Sequence, residues 1–302
     1  MLFATAAFAQ GRENIVIGTG ERGGNYYAAG GAICRMINAR RPFDCATAPT
    51  GGSIDNIYAL DLADVDFAVV QGDVQSAAYR GSPTFAGSPY ADLRSVATIY
   101  EESLTVVTRA DSGIERFLDL RGRSVSAGHL NAGSRWTFLA TLSASGLRVR
   151  DLGSFEPMTV MEAASRLCSG QLDALALVTG HPSATLWWLA ETCSIRFVSV
   201  DPAIGNAMTR RNRTYRPVTI PAGVYPFLPV PISTVGTSAT IVTLASTPAK
   251  NVRDVLSAIF DDVIAFRQQQ FVLDPVVPNG VDLTAPLHPA AARFYIEQER
   301  LQ

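Results

Sequence analysis

Leu62-Ala63-Asp64-Val65-Asp66-Phe67-Ala68-Val69-Val70 and Ser169-Gly170-Gln171-Leu172-Asp173-Ala174-Leu175-Ala176-Leu177 share one grammar: a turn, an aspartate, then an alternating apolar strand. Each stands at the same place in a strand–helix–strand series. Ahead of the first copy, residues 14–19 (NIVIGT) read as a buried strand running into a Gly-rich loop, Gly20 to Gly24. A helix follows, with Tyr27, Ile33 and Ile37 among its apolar positions, then a short strand over Cys45 to Ala48. Thr50-Gly51-Gly52-Ser53 leads into a helix through Leu62, and Gln71-Gly72-Asp73 opens another. Ahead of the second copy come a strand at Ser124 to Gly128, a loop His129 to Gly133, and helices over 134–145 and 159–168. Behind it, Thr179-Gly180-His181-Pro182 opens a further helix. Strands alternating with helices predict a parallel sheet covered on both faces, here in two copies.

Two long strand-like runs join the copies. Arg94 to Ala110 (RSVATIYEESLTVVTRA) is long enough to leave one lobe and enter the other, with a break expected near Glu101-Glu102. Thr234 to Ala245 follows a Pro-rich stretch and returns the chain to its first lobe. This predicts a clamshell: residues 10–105 with 236–302 form one lobe, and 106–235 the other.

Length and composition agree. A chain of 302 residues exceeds what one core usually supports, so two domains are expected. With 47% hydrophobic and 17% charged residues it is globular in character. A net charge of -2 and a pI near 5.9 argue against broad binding to nucleic acid or acidic membrane. Catalytic His and Cys are scarce, which tilts the reading toward binding over chemistry.

Residues 2–9 (LFATAAFA) end in Ala7-Phe8-Ala9, an A-x-A cleavage pattern, so 1–9 read as the remnant of an export signal. Four cysteines, Cys34, Cys45, Cys168 and Cys193, contain no C-x-x-C spacing, and each close pair stays within one half of the chain. Two local disulfides fit an oxidising compartment such as the periplasm.

In open α/β sheets ligands sit beyond the carboxyl ends of the strands, against helix N-termini. Here those positions are the loops 20–26, 50–53, 71–73, 128–135 and 179–182. Backbone N–H groups at helix N-termini favour an anion. A competing motif is Gly18-Thr19-Gly20-Glu21-Arg22-Gly23, formally the G-x-G-x-x-G of an NAD-dependent oxidoreductase. Its acidic partner is missing, because Asp44 precedes the second strand instead of ending it.

Seven segments carry a family resemblance: IGTGERGGNYYAAGGAICRMIN, PTGGSIDNIYAL, DVDFAVVQGDVQSAAY, LRSVATIYEESLTVV, SRLCSGQLDALALVTGHPS, TIPAGVYP and PLHPAAARFYIE. In order, from about Ile15 to Glu297, they resemble the TAXI family, the solute-binding proteins of tripartite ATP-independent periplasmic (TRAP) transporters. The resemblance implies a type II periplasmic-binding fold, two open α/β lobes joined by hinge strands with the ligand cleft between them. It implies the pairings Cys34–Cys45 and Cys168–Cys193, and a monomer without cofactor that delivers a small anionic solute to TRAP membrane permease subunits. Carried over by motif, the pocket residues are Gly24, Asn25, Tyr26, Thr50, Gly51, Gly52, Ser53, Gln71, Asp73, Asn131, Ser134, Arg135, Trp136, Gly180 and His181, with Glu102 at the hinge.

The sequence departs from the family pattern at Gly133-Ser134-Arg135-Trp136, where G-S-G-T or G-S-G-Q is usual, and at Glu101-Glu102-Ser103, where P-E-P is usual. An Arg at position 135 is expected to bind a ligand carboxylate with its planar fork. The expected function is therefore capture of a small carboxylate or acidic amino acid, glutamate- or 2-oxoglutarate-like, without catalysis. The alternatives are the oxidoreductase and a signalling version that presents its ligand to a sensor kinase.

Overall fold

The computed structural model describes residues 14–41, 44–268 and 284–298. The export-signal stretch 1–9 lies outside the described residues. In chain order the elements are β1 Ile15–Gly18, α1 Asn25–Arg40, β2 Cys45–Ala48, α2 Ser53–Asp61, β3 Phe67–Gln71, α3 Gly72–Tyr79 and β4 Leu93–Arg109. They continue with β5 Ser124–Ser126, α4 Gly133–Ala144, β6 Ser154–Phe155, α5 Val160–Cys168, β7 Ala174–Thr179, α6 Ala184–Thr192, β8 Ile195–Val198 and α7 Pro202–Arg211. The last are β9 Arg216–Ile220, β10 Ile232–Leu244, α8 Ala249–Phe260, α9 Val263–Gln268 and α10 Pro289–Glu297.

The sheet runs β2-β1-β3-β10-β4-β7-β5-β6, with β8 added to β4 and β9 to β10. Each lobe holds a parallel trio, β2-β1-β3 and β6-β5-β7. An antiparallel strand closes each trio: β10 lies beside β3, and β4 beside β7. The two repeated sequences are thus the central strands β3 and β7. Their aspartates do identical work. Asp66 Oδ2 accepts from Val16 N in β1 at 2.8 Å, and Asp173 Oδ2 accepts from Ser124 N in β5 at 2.8 Å. In each lobe the carboxylate before the central strand pins the start of the first strand.

Side chains alternate along these strands, so each lobe is packed on both faces. Phe67 and Val69 point into one cluster, Ala68 and Val70 into another. Likewise Ala174 and Ala176 enter one cluster of the second lobe, Leu175 and Leu177 the other. Helices complete the layers with one apolar stripe each. In α5, Ala163, Ala164 and Leu167 are buried, and the Thr159 hydroxyl caps the first turn by accepting from Glu162 N at 3.1 Å.

One expectation is corrected. The long strand through Glu101 and Glu102 is continuous over Leu93–Arg109. It bends by register shifts opposite Ala239/Thr240 and Ile241/Val242 of β10, which leave Ile99 and Val96 without a ladder partner on that side. Such bulges add twist without ending the pairing.

Disulfides join Cys34 to Cys45 and Cys168 to Cys193, with no free cysteine among the described residues. The first ties α1 to β2; the second ties the end of α5 to the residue after α6. Cross-links closing loops of this size typically stabilise by about 3 kcal/mol each in the chain-entropy model. Thiol titration of the denatured, non-reduced protein is therefore expected to read zero, and four thiols after reduction. A reading of four before reduction would refute both cross-links.

Candidate functional site

The carboxyl ends of β1, β3 and β7 face a cavity of about 150 Å³ between the lobes. Its walls are the first residues of helices: Gly24, Asn25 and Tyr26 of α1, Gly52 and Ser53 of α2, and Gly133 and Ser134 of α4. No side chain caps the N-termini of α1, α2, α3, α4 or α6. Helix dipoles therefore aim positive ends at this space from both lobes. Gly52 adopts φ 120°, a conformation that disfavours any side chain, and a Cβ there would stand 3.3 Å from the Ala132 Cα of the other lobe. A Cβ on Gly133 would overlap Gln71 and Ser53. Close approach of the lobes depends on both positions being glycine.

Direct bonds hold the lobes together around the cavity. Asn25 Nδ2 donates to Thr179 Oγ1 at 2.7 Å and to the Gly180 carbonyl at 3.1 Å. Asn131 Nδ2 donates to Asp55 Oδ1 at 2.7 Å, and Ile54 N donates to the Asn131 carbonyl at 3.2 Å. Glu21 accepts from Val160 N at 3.1 Å, at the start of α5, with His129 Nε2 at 3.4 Å. A protein carboxylate thus occupies that helix N-terminus.

Of the residues expected in the pocket, Gly24, Asn25, Tyr26, Gly51, Gly52, Ser53, Gln71, Glu102 and Ser134 line the cavity. The others are placed elsewhere. The Thr50 hydroxyl is taken up by the Thr19 carbonyl and Asn56 Oδ1, both at 2.8 Å. Asp73 is fully buried, accepting from Thr137 Oγ1 at 2.6 Å, Val74 N at 2.9 Å and Gln71 Nε2 at 3.1 Å. Burial raises its carboxyl, and the Thr137 and Tyr215 hydrogen bonds pull the other way. Trp136 packs against the first-lobe cluster that holds Ile54 and Ile57. Arg135, expected to grip a carboxylate, instead lies over the Phe155 ring at 3.9 Å. The guanidinium is thus directed to β6, its Nη1 is buried without a hydrogen-bond partner, and the side chain does not line the cavity.

His181 is also engaged by the protein. Its Nδ1 meets the Tyr225 hydroxyl at 2.8 Å, and its Nε2 meets Thr105 Oγ1 at 3.0 Å and Ser103 Oγ at 3.1 Å. Burial among these groups lowers its pKa to about 4, so the ring is neutral at pH 7. Sequence reasoning missed the walls formed by Val160, Met161, Thr185 and residues 176–178. Ala176-Leu177-Val178 reads as plain core strand, and nothing local marks its end as a cavity wall.

Glu102 lies in the middle of β4, 3% exposed. Its Oε1 accepts from the Tyr26 hydroxyl at 2.8 Å. Burial pushes the carboxyl up to about 8; the Tyr26 hydrogen bond lowers it, nearby Asp73 raises it, and Arg216 lowers it. Arg216 itself pairs with Glu101 at 2.7 Å.

The oxidoreductase reading finds no support in this geometry. Asp44 precedes β2, at the end of that strand remote from the cavity, and pairs with Arg41 at 3.2 Å. Among the described residues no group of His, Cys, Asp and Glu is arranged to hold a metal ion, and no helix is long and apolar enough to cross a membrane.

Two outcomes follow from these placements. A carboxyl that titrates near 4.5 unfolded and near 8 folded favours the folded state at low pH, and loses that contribution as pH rises from about 4.5 to about 8. The melting temperature of wild type, measured against Glu102→Gln, should therefore fall across this window. Parallel curves would show that the carboxyl is not held neutral. Arg135→Ala should cost about 0.5–1 kcal/mol of stability through the lost ring contact, while changing ligand affinity less than about threefold. A large affinity loss would return Arg135 to the pocket.

Similarity to solved structures supports the architecture. The periplasmic aliphatic sulphonate binding protein SsuA from Escherichia coli aligns over 95% of this chain and 88% of its own, at 14% identity and a TM-score of 0.53. PhnD1 from Prochlorococcus marinus (MIT 9301), in complex with methylphosphonate, aligns over 96% and 100%, at 9% identity and a TM-score of 0.59. The GluR0 ligand-binding core from Nostoc punctiforme, in complex with L-glutamate, aligns over 85% and 99%, at 14% identity and a TM-score of 0.51. At these identities the likeness speaks for the fold, a two-lobed periplasmic-binding-protein architecture. Residues 17–298 match the NMT1-like family throughout, and the chain belongs to that family.

Proposed function

We propose that this chain is an extracytoplasmic solute-binding protein that captures a small carboxylate or acidic amino acid and hands it to a membrane permease pair of the TRAP type. The observation that carries this reading is the cavity between the lobes, ringed by uncapped helix N-termini from both. Such a ring holds an anionic head group through backbone N–H donors, and Arg22 lines the same cavity. The three solved neighbours named above are described with a sulphonate, a phosphonate and L-glutamate, each a small molecule bearing an acidic group. The motif resemblance to the TAXI family supports the TRAP assignment, and two disulfides support life outside the cytoplasm. On this reading the lobes comprise 10–105 with 236–302, and 106–235, in keeping with the separate core clusters.

A thermal-shift screen of carboxylates, amino acids, sulphonates and phosphonates tests the proposal. A true ligand at 100 times its Kd adds about 2.7 kcal/mol, which is readily detected. Small-angle scattering should then show a smaller radius of gyration with that ligand than without it, because the lobes close around it. Identical profiles at saturating ligand would refute the clamshell part of the reading.

A further inference from the structure

The cavity lining has two chemically different parts. Backbone donors at the starts of α1, α2 and α4 form one. The other is Glu102 at the floor, where β4 passes between the lobes. Its Oε1 is satisfied by Tyr26, but Oε2 is buried and has no partner. Among the described side chains that line the cavity, Oε2 is the buried polar atom left in this condition. Ser53 Oγ accepts from Gln71 N at 3.1 Å, Ser134 Oγ accepts from Val178 N at 2.8 Å, and Gln71 Nε2 donates to Thr137 Oγ1 at 2.8 Å.

A buried carboxyl oxygen without a partner is costly in either protonation state, lacking a donor when ionised and an acceptor for its own hydrogen when neutral, and native proteins leave few of them unexplained. The groups facing Glu102 do not resolve it. Tyr26 on α1 already donates to the other oxygen, and Tyr100 on β4 and Asp73 on α3 offer no positive charge. Arg216 on β9 is directed to Glu101. The missing partner arrives from the cavity, and a cation gains most there, because it pairs with the ionised carboxylate and displaces its proton.

We infer that Glu102 Oε2 receives a protonated amine of the solute, so that the cavity selects a zwitterion over the amine-free acid of the same skeleton. This rests on the solute-binding reading above and narrows it. Near pH 7 the empty cavity holds Glu102 as the neutral acid, since its carboxyl titrates at about 8. When the ammonium settles against Oε2, the carboxyl ionises and its proton leaves to solvent. One positive charge replaces another, so the buried region gains no net charge. The acidic head meanwhile meets the N–H groups at the helix N-termini. Capture at neutral pH thus releases close to one proton, and affinity for an amine-bearing solute rises with pH up to about 8.

Three matched pairs decide it by titration calorimetry: L-glutamate with 2-oxoglutarate, L-alanine with pyruvate, and aminomethylphosphonate with methylphosphonate. Each is measured at pH 7 in phosphate and in Tris, whose different ionisation enthalpies report protons released. For the pair that binds, the amine-bearing member should bind at least about tenfold more tightly, releasing nearly one proton. Glu102→Gln should weaken the amine-bearing member about 10- to 150-fold, leave its partner within about threefold, and abolish the proton release. Should the variant not fold, the wild-type preference and proton count decide alone. Equal binding of both members without proton release overturns the role of Glu102 and leaves the solute-binding reading standing. Failure of all six compounds to bind overturns the solute class itself, and this inference with it.

Discussion

The antiparallel pairing of β4 with β10 is the constraint on which everything else rests. Its register runs from Gly236 opposite Ser103 to Leu244 opposite Leu93. The N-terminal part of β4 belongs to this ladder, whereas its C-terminal part leaves to pair with β7 and β8. β10 does the converse, pairing with β9 at its start and with β3 at its end. Each lobe therefore borrows its antiparallel strand from the connection that leads to the other. Neither sheet is complete alone, and the two lobes are joined through continuous backbone hydrogen bonding instead of a loose linker. Bulges at Ile99 and Val96 supply twist where the ladder must turn between the lobes.

That crossing fixes the place of the cavity. Residues at the carboxyl ends of both parallel trios line it, so helix N-termini from two lobes converge there. The lobes do not use those N-termini equally. α5 is already neutralised by the Glu21 carboxylate at its first N–H, across the cleft. α1, α2 and α4 carry no side-chain cap, and although the Asn131 carbonyl takes Ile54 N of α2, the other N–H groups of their first turns remain for an incoming anion. The glycines at 52 and 133 are consistent with this: the two backbones approach so closely that side chains there would hold the lobes apart.

Much of the fold was legible in the sequence because it depends on local pattern. The repeated turn–Asp–strand units are β3 and β7, and the two aspartates prove to pin equivalent first strands. The Gly-rich loops after β1 and before α2 do border the cavity. What the sequence hid was direction. Arg135 sits in the first turn of α4, as expected, but helix phase decides whether it faces the cavity or Phe155, and that phase is set by packing against β7 and α7. His181 follows the end of β7, yet Tyr225, Thr105 and Ser103 arrive from distant segments and absorb both ring nitrogens. Thr50 and Asp73 were chosen for residue type and loop position, while partners remote in sequence, such as Thr19 and Thr137, claim them.

The contrast between two buried carboxyls shows why burial alone does not identify a binding residue. Asp73 and Glu102 both carry pKa values raised chiefly by loss of water. Asp73 meets donors on each oxygen: Val74 N and Gln71 on one, Thr137 on the other. Its bonds cross from one lobe to the other, so its burial is repaid by holding the lobes in register. Glu102 is equally buried and has one donor against three. The protein has satisfied one oxygen through Tyr26 and left the second open at the floor of a cavity. An atom that packing has surrounded yet not bonded is costly in the empty protein, and the cost disappears only when something outside the chain bonds to it. The count of donors per oxygen, not the degree of burial, separates the carboxyl that builds the clamshell from the one that serves what it encloses.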